Sequence, residues 1–289
     1  MIPAMHITAW ANVAPWAELG QIEQDLIISR AIIEVFSDEF LRKELRFRGG
    51  TALNKLHFPE PLRYSEDIDL VRTTHGPIGP ILDRLREVLH WLGDAAFTQS
   101  VVAPKLIYQI EPEHGGPPLR LKVEINTRET KTFDGPHEIG HAVDNPWFSG
   151  EVAIPTFTPE EMLATKLRAL LQRDKGRDLL DLSHAMSVLD GVNAGRLIEI
   201  FLEYLLQDGI AISRAQAEER MWAKLENPGL LSDIRPLLSA DAADELTDDA
   251  VMIAFARVMT DLVSLIPGNP WARSPEMAEQ FGVTLARES

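Results

Sequence analysis

The sequence predicts an α+β fold, in which an α/β domain over residues 1–155 precedes a helical domain over residues 156–289. Two segments, 64–71 and 119–126, alternate apolar and polar residues, as strands with one buried face do. Other segments carry apolar residues at a period of 3.6, and from residue 158 onward nearly all of the chain has this helical pattern. The two parts meet near Pro155.

The first domain begins with a helix over residues 21–40, because its apolar residues fall on one stripe at helical spacing. This stripe consists of Ile22, Leu26, Ile33, Phe36 and Phe40. Residues 127–155 are rich in glycine, proline and histidine, and we expect a loop with a short strand there. The turn-rich segment 112–118 predicts a hairpin. The remaining elements expected here are helices over 51–56 and 77–92 and strands over 64–71, 106–111 and 119–126.

The first helix of the second domain is expected to begin at Thr158, because a threonine followed by proline and two glutamates is typical of a helix N-terminus. The buried stripe expected on this first helix consists of Met162, Leu163, Leu167, Leu170 and Leu171. Three later helices are expected over residues 195–208, 213–225 and 247–265.

Composition limits the classes of partner. The formal net charge is -16, so binding to a nucleic-acid backbone requires a local basic patch. The basic residues that could form one are Arg42, Lys43, Arg46 and Arg48 before the glycine pair, and Lys166, Arg168, Arg173, Lys175 and Arg177 later. The chain has no cysteine, which excludes disulfides and thiolate zinc sites. Without a signal peptide or a membrane-spanning apolar run, we expect a cytoplasmic protein with no membrane partner.

The segment with the clearest chemistry contains Asp67 and Asp69. Two residues apart on a strand, they project from the same face, and hard carboxylate oxygens on a rigid strand suit Mg²⁺. Glu124 lies on the polar face of the strand over 119–126. If the two strands are neighbours, these three acids are expected to bind a pair of Mg²⁺ ions. Each acid taken alone is equally compatible with a solvated strand residue.

The glycine pair Gly49-Gly50 lets the main chain approach a triphosphate closely. The amides that open the following helix would face the negative charge, and Thr51 adds a hydroxyl donor. A glycine pair alone is also typical of a simple turn.

Together these motifs resemble the AbiEii family of the polymerase-β-type nucleotidyltransferase superfamily. The AbiEii proteins are toxins of type IV toxin–antitoxin and abortive-infection systems, and the MenT toxins are their relatives. The resemblance rests on the glycine pair with Thr51, the string from Ser65 to Leu70 and the string Val123-Glu124-Ile125. The spacing from Gly50 to Asp67 is longer than in many polymerase-β-type enzymes but suits the AbiEii branch.

The resemblance implies a domain with a mixed sheet followed by a helical domain, and an NTP as substrate. It also implies transfer of a nucleoside monophosphate to RNA, with the tRNA 3′ end as the expected acceptor, and a separately encoded antitoxin. The residues expected to contact the nucleotide are Arg48, Gly49, Gly50, Thr51, Ser65 and Lys166.

The helical domain contributes Lys166 and Asp181 to the expected catalytic set. The segments around them are similar to the second and third motifs of the AbiEii family. By that resemblance Lys166 binds the triphosphate, and Asp181 orients Lys166 or assists the acceptor. The residues with a possible supporting role are Arg173, Arg177 and Asp178. Periodicity alone also allows a solvated Lys166 and an ordinary surface ion pair between Arg177 and Asp181.

Two other functions stay open from the sequence. One is a nucleotidyltransferase that acts on small molecules such as antibiotics, which would have a compact acidic acceptor pocket. The other is a nucleotide-binding module without turnover.

Overall fold

The computed structural model describes residues 2–98, 103–227 and 234–285. The chain forms two compact units, Met1–Thr158 and Pro159–Ser289. The elements of the first unit are α1 (Ala4–Trp10), α2 (Leu19–Ser37), α3 (Glu39–Glu44), β1 (Leu45–Arg48), α4 (Gly49–Ala52), a π-helical turn (Leu53–His57), β2 (Asp67–Arg72), α5 (Gly79–Val88), a 3₁₀ turn (His90–Leu92), β3 (Ala96–Thr98), β4 (Lys105–Ile110), β5 (Leu119–Asn126), β6 (His137–Asn145) and β7 (Phe148–Thr156).

A five-stranded mixed sheet forms the centre of the first unit, in the order β1-β2-β5-β4-β3. Strands β2 and β5 are parallel, and the other neighbouring pairs are antiparallel. The hairpin of β4 and β5 confirms the prediction from the turn-rich segment between them. The inward-facing side chains of β2 and β5, Ile68, Leu70, Val123 and Ile125, are buried. This buried layer fixes which side chains lie on the opposite, polar face.

The expectation of a loop with one short strand over residues 127–155 is wrong. Strands β6 and β7 pair over nine residues each as an antiparallel two-stranded sheet. Most side chains of β6 are exposed or only partly buried, so the segment needs few apolar residues and lacks the alternation of a half-buried strand. The residues before Gly49 form a further strand, β1, which was not predicted from the sequence.

One buried carboxylate connects three elements of the first unit. Asp25 of α2 is only 5% exposed and accepts hydrogen bonds from the indole nitrogens of Trp10, at 2.9 Å, and Trp16, at 3.3 Å. Lys55, in the π-helical turn, donates to the Asp25 carboxylate and to the Ser29 hydroxyl, both at 2.9 Å. This network holds the turn that follows the glycine pair against α2.

The second unit is helical. Its elements are α6 (Pro159–Gln172), α7 (Gly176–Val188), α8 (Ala194–Gln207), α9 (Arg214–Leu225), a 3₁₀ turn (Arg235–Leu237), α10 (Ala240–Glu245), α11 (Asp248–Asp261), a 3₁₀ turn (Val263–Leu265) and α12 (Ser274–Phe281). The predicted stripe of α6 is buried throughout. Helix α6 packs against α7 and α8, which places polar residues of α6 and α7 side by side. No helix among the described residues has both the length and the apolar character needed to cross a bilayer.

Candidate active site

Asp67, Asp69 and Glu124 lie on one face of the mixed sheet. In the parallel register of β2 and β5, Asp69 is opposite Glu124 and Asp67 is opposite Lys122. Because side chains alternate between the two faces of a strand, this register places all four polar side chains on the same side. The structure therefore brings together the three acids that the sequence singled out.

Asp69 is the most enclosed of these acids. Protein atoms surround it, although part of its side chain reaches the surface. Burial raises the pKa of Asp69, and the nearby charge of Asp67 raises it further, while the Lys122 ammonium opposes the shift. The pair of carboxylates is therefore an electrostatically costly arrangement that a bound cation would relieve.

Lys122 lies between two of the acids. Its Nζ atom is 2.8 Å from Oδ2 of Asp67 and 3.0 Å from Oε2 of Glu124. Nζ of Lys105, on β4, is 3.2 Å from the same Glu124 oxygen. Burial works against the charge of Lys122, but hydrogen bonds to the two acids leave its pKa raised. Burial likewise opposes the charge of Glu124, and the hydrogen bond from Lys122 leaves that pKa lowered.

Neither Lys122 nor Lys105 was predicted from the sequence to take part in the site. The alternation of 119–126 puts Lys122 and Glu124 on one face, but the contact of Lys122 with Asp67 depends on the register of β2 and β5. The approach of Lys105 to Glu124 likewise depends on the register of the β4–β5 hairpin.

The glycine pair lies directly beside Asp69. Arg48, the last residue of β1, is opposite Asp69, and the chain then turns into α4 at Gly49. Gly49 has φ +85°, and a Cβ atom added there would lie 2.2 Å from Oδ2 of Asp69. Only glycine fits this position, because both the backbone conformation and the contact exclude a side chain.

Hydrogen bonds fix the segment that leads into β2. The Thr51 hydroxyl is 2.8 Å from Oγ of Ser65 and also hydrogen-bonds to the main-chain oxygen of Asp67. The Thr51 side chain is therefore committed to holding this segment, and Ser65 lies next to it. Arg48 forms an ion pair with Glu129, and both side chains are largely buried.

The acids fit a divalent cation in part. Oδ1 of Asp67 is buried and accepts no hydrogen bond from the described residues, as expected for an oxygen that coordinates a cation. Carboxylate oxygens are also the ligands that Mg²⁺ prefers. Within the described residues, however, no three histidine or carboxylate side chains are arranged so that they could hold a metal ion together. The fit is therefore to Asp67 and Asp69, since Glu124 is engaged by two lysines.

In the second unit, α6 and α7 form a buried ionic cluster. Nζ of Lys166 is 2.7 Å from Oδ2 of Asp181 and 3.4 Å from Oδ1 of Asp178. Arg173 donates two hydrogen bonds to Asp178, at 2.8 and 3.0 Å. Lys166 is 7% exposed and both aspartates are fully buried. Lys166 is therefore not a solvated lysine, and Asp181 is not part of a surface ion pair. Arg177, at the start of α7, is partly buried.

Several residues of the proposed basic patch are paired with acids. Arg42 forms a two-pronged hydrogen bond to Glu138, at 3.0 and 3.1 Å, and Arg48 pairs with Glu129. The charge available to a nucleic-acid backbone from these arginines is correspondingly reduced.

Comparison with known proteins identifies the family. Residues 30–273 match the family described as the nucleotidyl transferase AbiEii toxin of type IV toxin–antitoxin systems. None of the curated proteins with which the sequence was compared matches it.

Two solved structures have a similar fold. The MenT4 nucleotidyltransferase toxin of Mycobacterium tuberculosis H37Rv is 18% identical, with a TM-score of 0.62 over 99% of this chain and 100% of that chain. JHP933 of Helicobacter pylori is 17% identical, with a TM-score of 0.51 over 86% of this chain and 94% of that chain. Because the family match spans most of the sequence, the chain belongs to the AbiEii nucleotidyltransferase toxins and is itself a nucleotidyltransferase.

Proposed function

We propose that the chain transfers a nucleoside monophosphate from an NTP to an acceptor hydroxyl at the face that carries Asp67 and Asp69. The observation that carries this proposal is the contact between the Gly49 main chain and Asp69. A glycine turn packed against a pair of carboxylates brings phosphate-binding amides beside ligands for a divalent cation.

In the proposed reaction, the acceptor oxygen forms a bond to the α-phosphorus. The bond from that phosphorus to the bridging oxygen of the β-phosphate breaks, pyrophosphate leaves, and the hydroxyl proton passes to water. A divalent cation such as Mg²⁺ held by Asp67 and Asp69 would neutralise phosphate charge and lower the pKa of the acceptor hydroxyl. Glu124 completes the acidic face.

The glycine turn and its neighbours bind the nucleotide in this proposal. The amides of Gly49, Gly50 and Thr51 face the phosphates, and Arg48 and Ser65 border them. The Thr51 side chain supports the turn, because its hydroxyl already holds the segment before β2.

In the helical unit, we propose that Lys166 binds nucleotide phosphate. Asp181 orients the ammonium group, which the distance of 2.7 Å supports. Asp178 and Arg173 hold the rest of the cluster in place, and Arg177 is a further candidate for phosphate contact. A buried lysine fixed by two carboxylates is pre-organised to stabilise charge on the departing pyrophosphate.

The acceptor we propose is RNA in the cytoplasm, with the tRNA 3′ end as its first candidate. The activity would block growth and be countered by an antitoxin encoded separately. Membership of a family of type IV toxins supports the growth-inhibiting role and the antitoxin.

One observation favours a second candidate, a small-molecule acceptor. Arg42 and Arg48 are paired with glutamates. This part of the surface therefore has less positive charge available to a nucleic-acid phosphate than the number of basic residues in the sequence predicted.

The test incubates the purified chain with Mg²⁺, each α-³²P-labelled NTP in turn, and either total tRNA or a set of aminoglycosides. We expect label on tRNA, and loss of at least 1,000-fold in rate for the variant Asp67→Ala/Asp69→Ala, on the order expected when a metal site is removed. The matched control Asp83→Ala/Glu87→Ala removes two exposed acids from α5 and should stay fully active. Transfer by a folded Asp67/Asp69 variant would contradict the proposed site, and label on aminoglycosides alone would favour the second candidate.

A further inference from the structure

Lys122 occupies the position between two carboxylates where a cation is needed. It lies opposite Asp67 in the β2–β5 register, and its ammonium group contacts both Asp67 and Glu124 at hydrogen-bond distance. Only 17% of the Lys122 side chain is exposed, so this is a largely enclosed contact rather than a mobile surface pair.

Glu124 is turned toward lysines. Its Oε2 atom accepts from Lys122 at 3.0 Å and is 3.2 Å from Nζ of Lys105. A metal ion bound to the same oxygen would lie within a few ångströms of two ammonium groups, and like charges at that distance repel strongly. Glu124 is therefore poorly placed as a metal ligand.

The charges of the cluster lead to the same conclusion. Two ammonium groups, of Lys105 and Lys122, face the three carboxylates, which leaves one negative charge uncompensated when all five groups are ionised. One divalent cation is sufficient to neutralise it, and a second would give a nucleotide-free site a large positive charge. Among the side-chain oxygens of these three acids, Oδ1 of Asp67 is buried without a hydrogen-bond partner among the described residues.

We propose that Lys122 is a built-in cation that takes the place of one metal ion, and that Glu124 is a positioning residue that holds it there. The carboxylates then bind one divalent cation, through Asp67 and Asp69. This inference rests on the proposed function for its role in nucleotidyl transfer. It replaces the expectation from sequence that the three acids bind two ions.

The experiment counts Mn²⁺ ions on the full chain without nucleotide, by electron paramagnetic resonance of free Mn²⁺ and by calorimetry. We expect one Mn²⁺ per wild-type chain and none on Asp67→Asn. Lys122→Met should bind a second Mn²⁺ and bind the first about tenfold more tightly, because a competing cation has been removed. The matched control Lys105→Met removes the same charge but has no contact with Asp67, so it should keep one ion with less than a threefold change in affinity.

Two tight Mn²⁺ ions on the wild type, or an unchanged ion count in Lys122→Met, would overturn the inference. Equal effects of the two lysine variants would also overturn it, because Lys122 would then contribute only positive charge and not a specific position beside Asp67. Circular dichroism establishes that each variant is folded, and Lys122→Gln replaces Lys122→Met if the latter is not.

The labelled-NTP assay separates this inference from the proposed function. If the wild type binds one Mn²⁺ and Lys122→Met binds two, the ion site stands even if no NTP yields transfer. If the wild-type chain binds two ions and still transfers the nucleotide, the proposed function stands and the proposed role of Lys122 is wrong.

Discussion

Gly49 is the residue at which the site tolerates least change. A methyl group there would have to occupy the space of the Asp69 carboxylate, and the backbone conformation is one that side chains rarely adopt. Gly50, one position later, differs in both respects. Its added Cβ would meet the guanidinium group of the buried Arg63 at 2.6 Å, and its φ is not in the left-handed region.

We therefore expect Gly49→Ala to lower the rate of nucleotidyl transfer by about 100-fold or more, because displacement of a reacting group by about 1 Å has costs of that size. Gly50→Ala should lose less, because its added methyl group would meet the Arg63 guanidinium rather than the Asp69 carboxylate. Transfer rates under saturating NTP check this, with a thermal melt for each variant. Equal losses for the two variants would contradict this reason, because they would show that any change in the turn lowers the rate, whether or not it displaces the Asp69 carboxylate.

At the same scale, the sequence predicted the acids but not the cation between them. Asp67, Asp69 and Glu124 could be found because strand alternation determines the face on which they lie. The role of Lys122 depends on the parallel register that places it opposite Asp67, and no local pattern encodes the pairing of two distant strands. The burial of Lys166 against Asp178 and Asp181 depends in the same way on how α6 packs against α7.

At the scale of elements, Asp25 connects α1, α2 and the π-helical turn. Its carboxylate accepts from two indoles and from Lys55, and all three donors are largely buried. Asparagine keeps the size of the side chain but removes its charge. The ammonium group of Lys55 would then be left without its ionic partner.

We expect Asp25→Asn to reduce the free energy of unfolding by about 3–5 kcal/mol, the usual cost of breaking a buried ion pair. Urea titration followed by tryptophan fluorescence measures it, and Trp10 and Trp16 lie in the network itself. Asp83→Asn, in an exposed pair with Arg86, is the control and should change stability by less than about 1 kcal/mol. A loss below about 1 kcal/mol in Asp25→Asn would mean that the network contributes little.

The elements that sequence predicted well are those with one buried face. Strand β5 alternates strictly, and its predicted bounds agree with those in the structure. Strand β1 has only four residues, too few for alternation to be distinguished from chance. Strands β6 and β7 leave much of their surface exposed. Polar residues such as Glu138, His141 and Asp144 therefore interrupt the alternation of apolar and polar residues by which a strand is predicted.

At the scale of the whole molecule, two histidines make folding sensitive to acid. Burial lowers the pKa of His57 to about 4, with a further contribution from His137. Burial also lowers the pKa of His141 to about 4; the charge of Lys55 adds to this shift and that of Asp25 opposes it. In the unfolded chain both groups titrate near their usual pKa of about 6.5. The unfolded state therefore binds more protons between pH 6.5 and 4.

From these shifts we expect the free energy of unfolding to fall as the pH is lowered from about 6.5 toward 4. The slope from each histidine is at most about 1.4 kcal/mol per pH unit. Urea titrations at pH 7.5, 6.5, 5.5 and 4.5 at constant ionic strength measure it. The variants His57→Gln and His141→Gln should each have a shallower slope. A wild-type stability independent of pH over this range would contradict the expectation.

The parallel pairing of β2 with β5 also affects when activity can first appear during synthesis. An antiparallel hairpin could close as soon as its turn left the ribosome, but α5, β3 and β4 all lie between these two strands in the chain. Parallel pairing needs such a long connection and forms late. A nascent chain that ends before Glu124 contains Asp67 and Asp69 of β2 but lacks Glu124 and the last part of β5, the strand that pairs with β2. The proposed site of a nucleotidyltransferase built in this way is therefore complete only after β5 has left the ribosome.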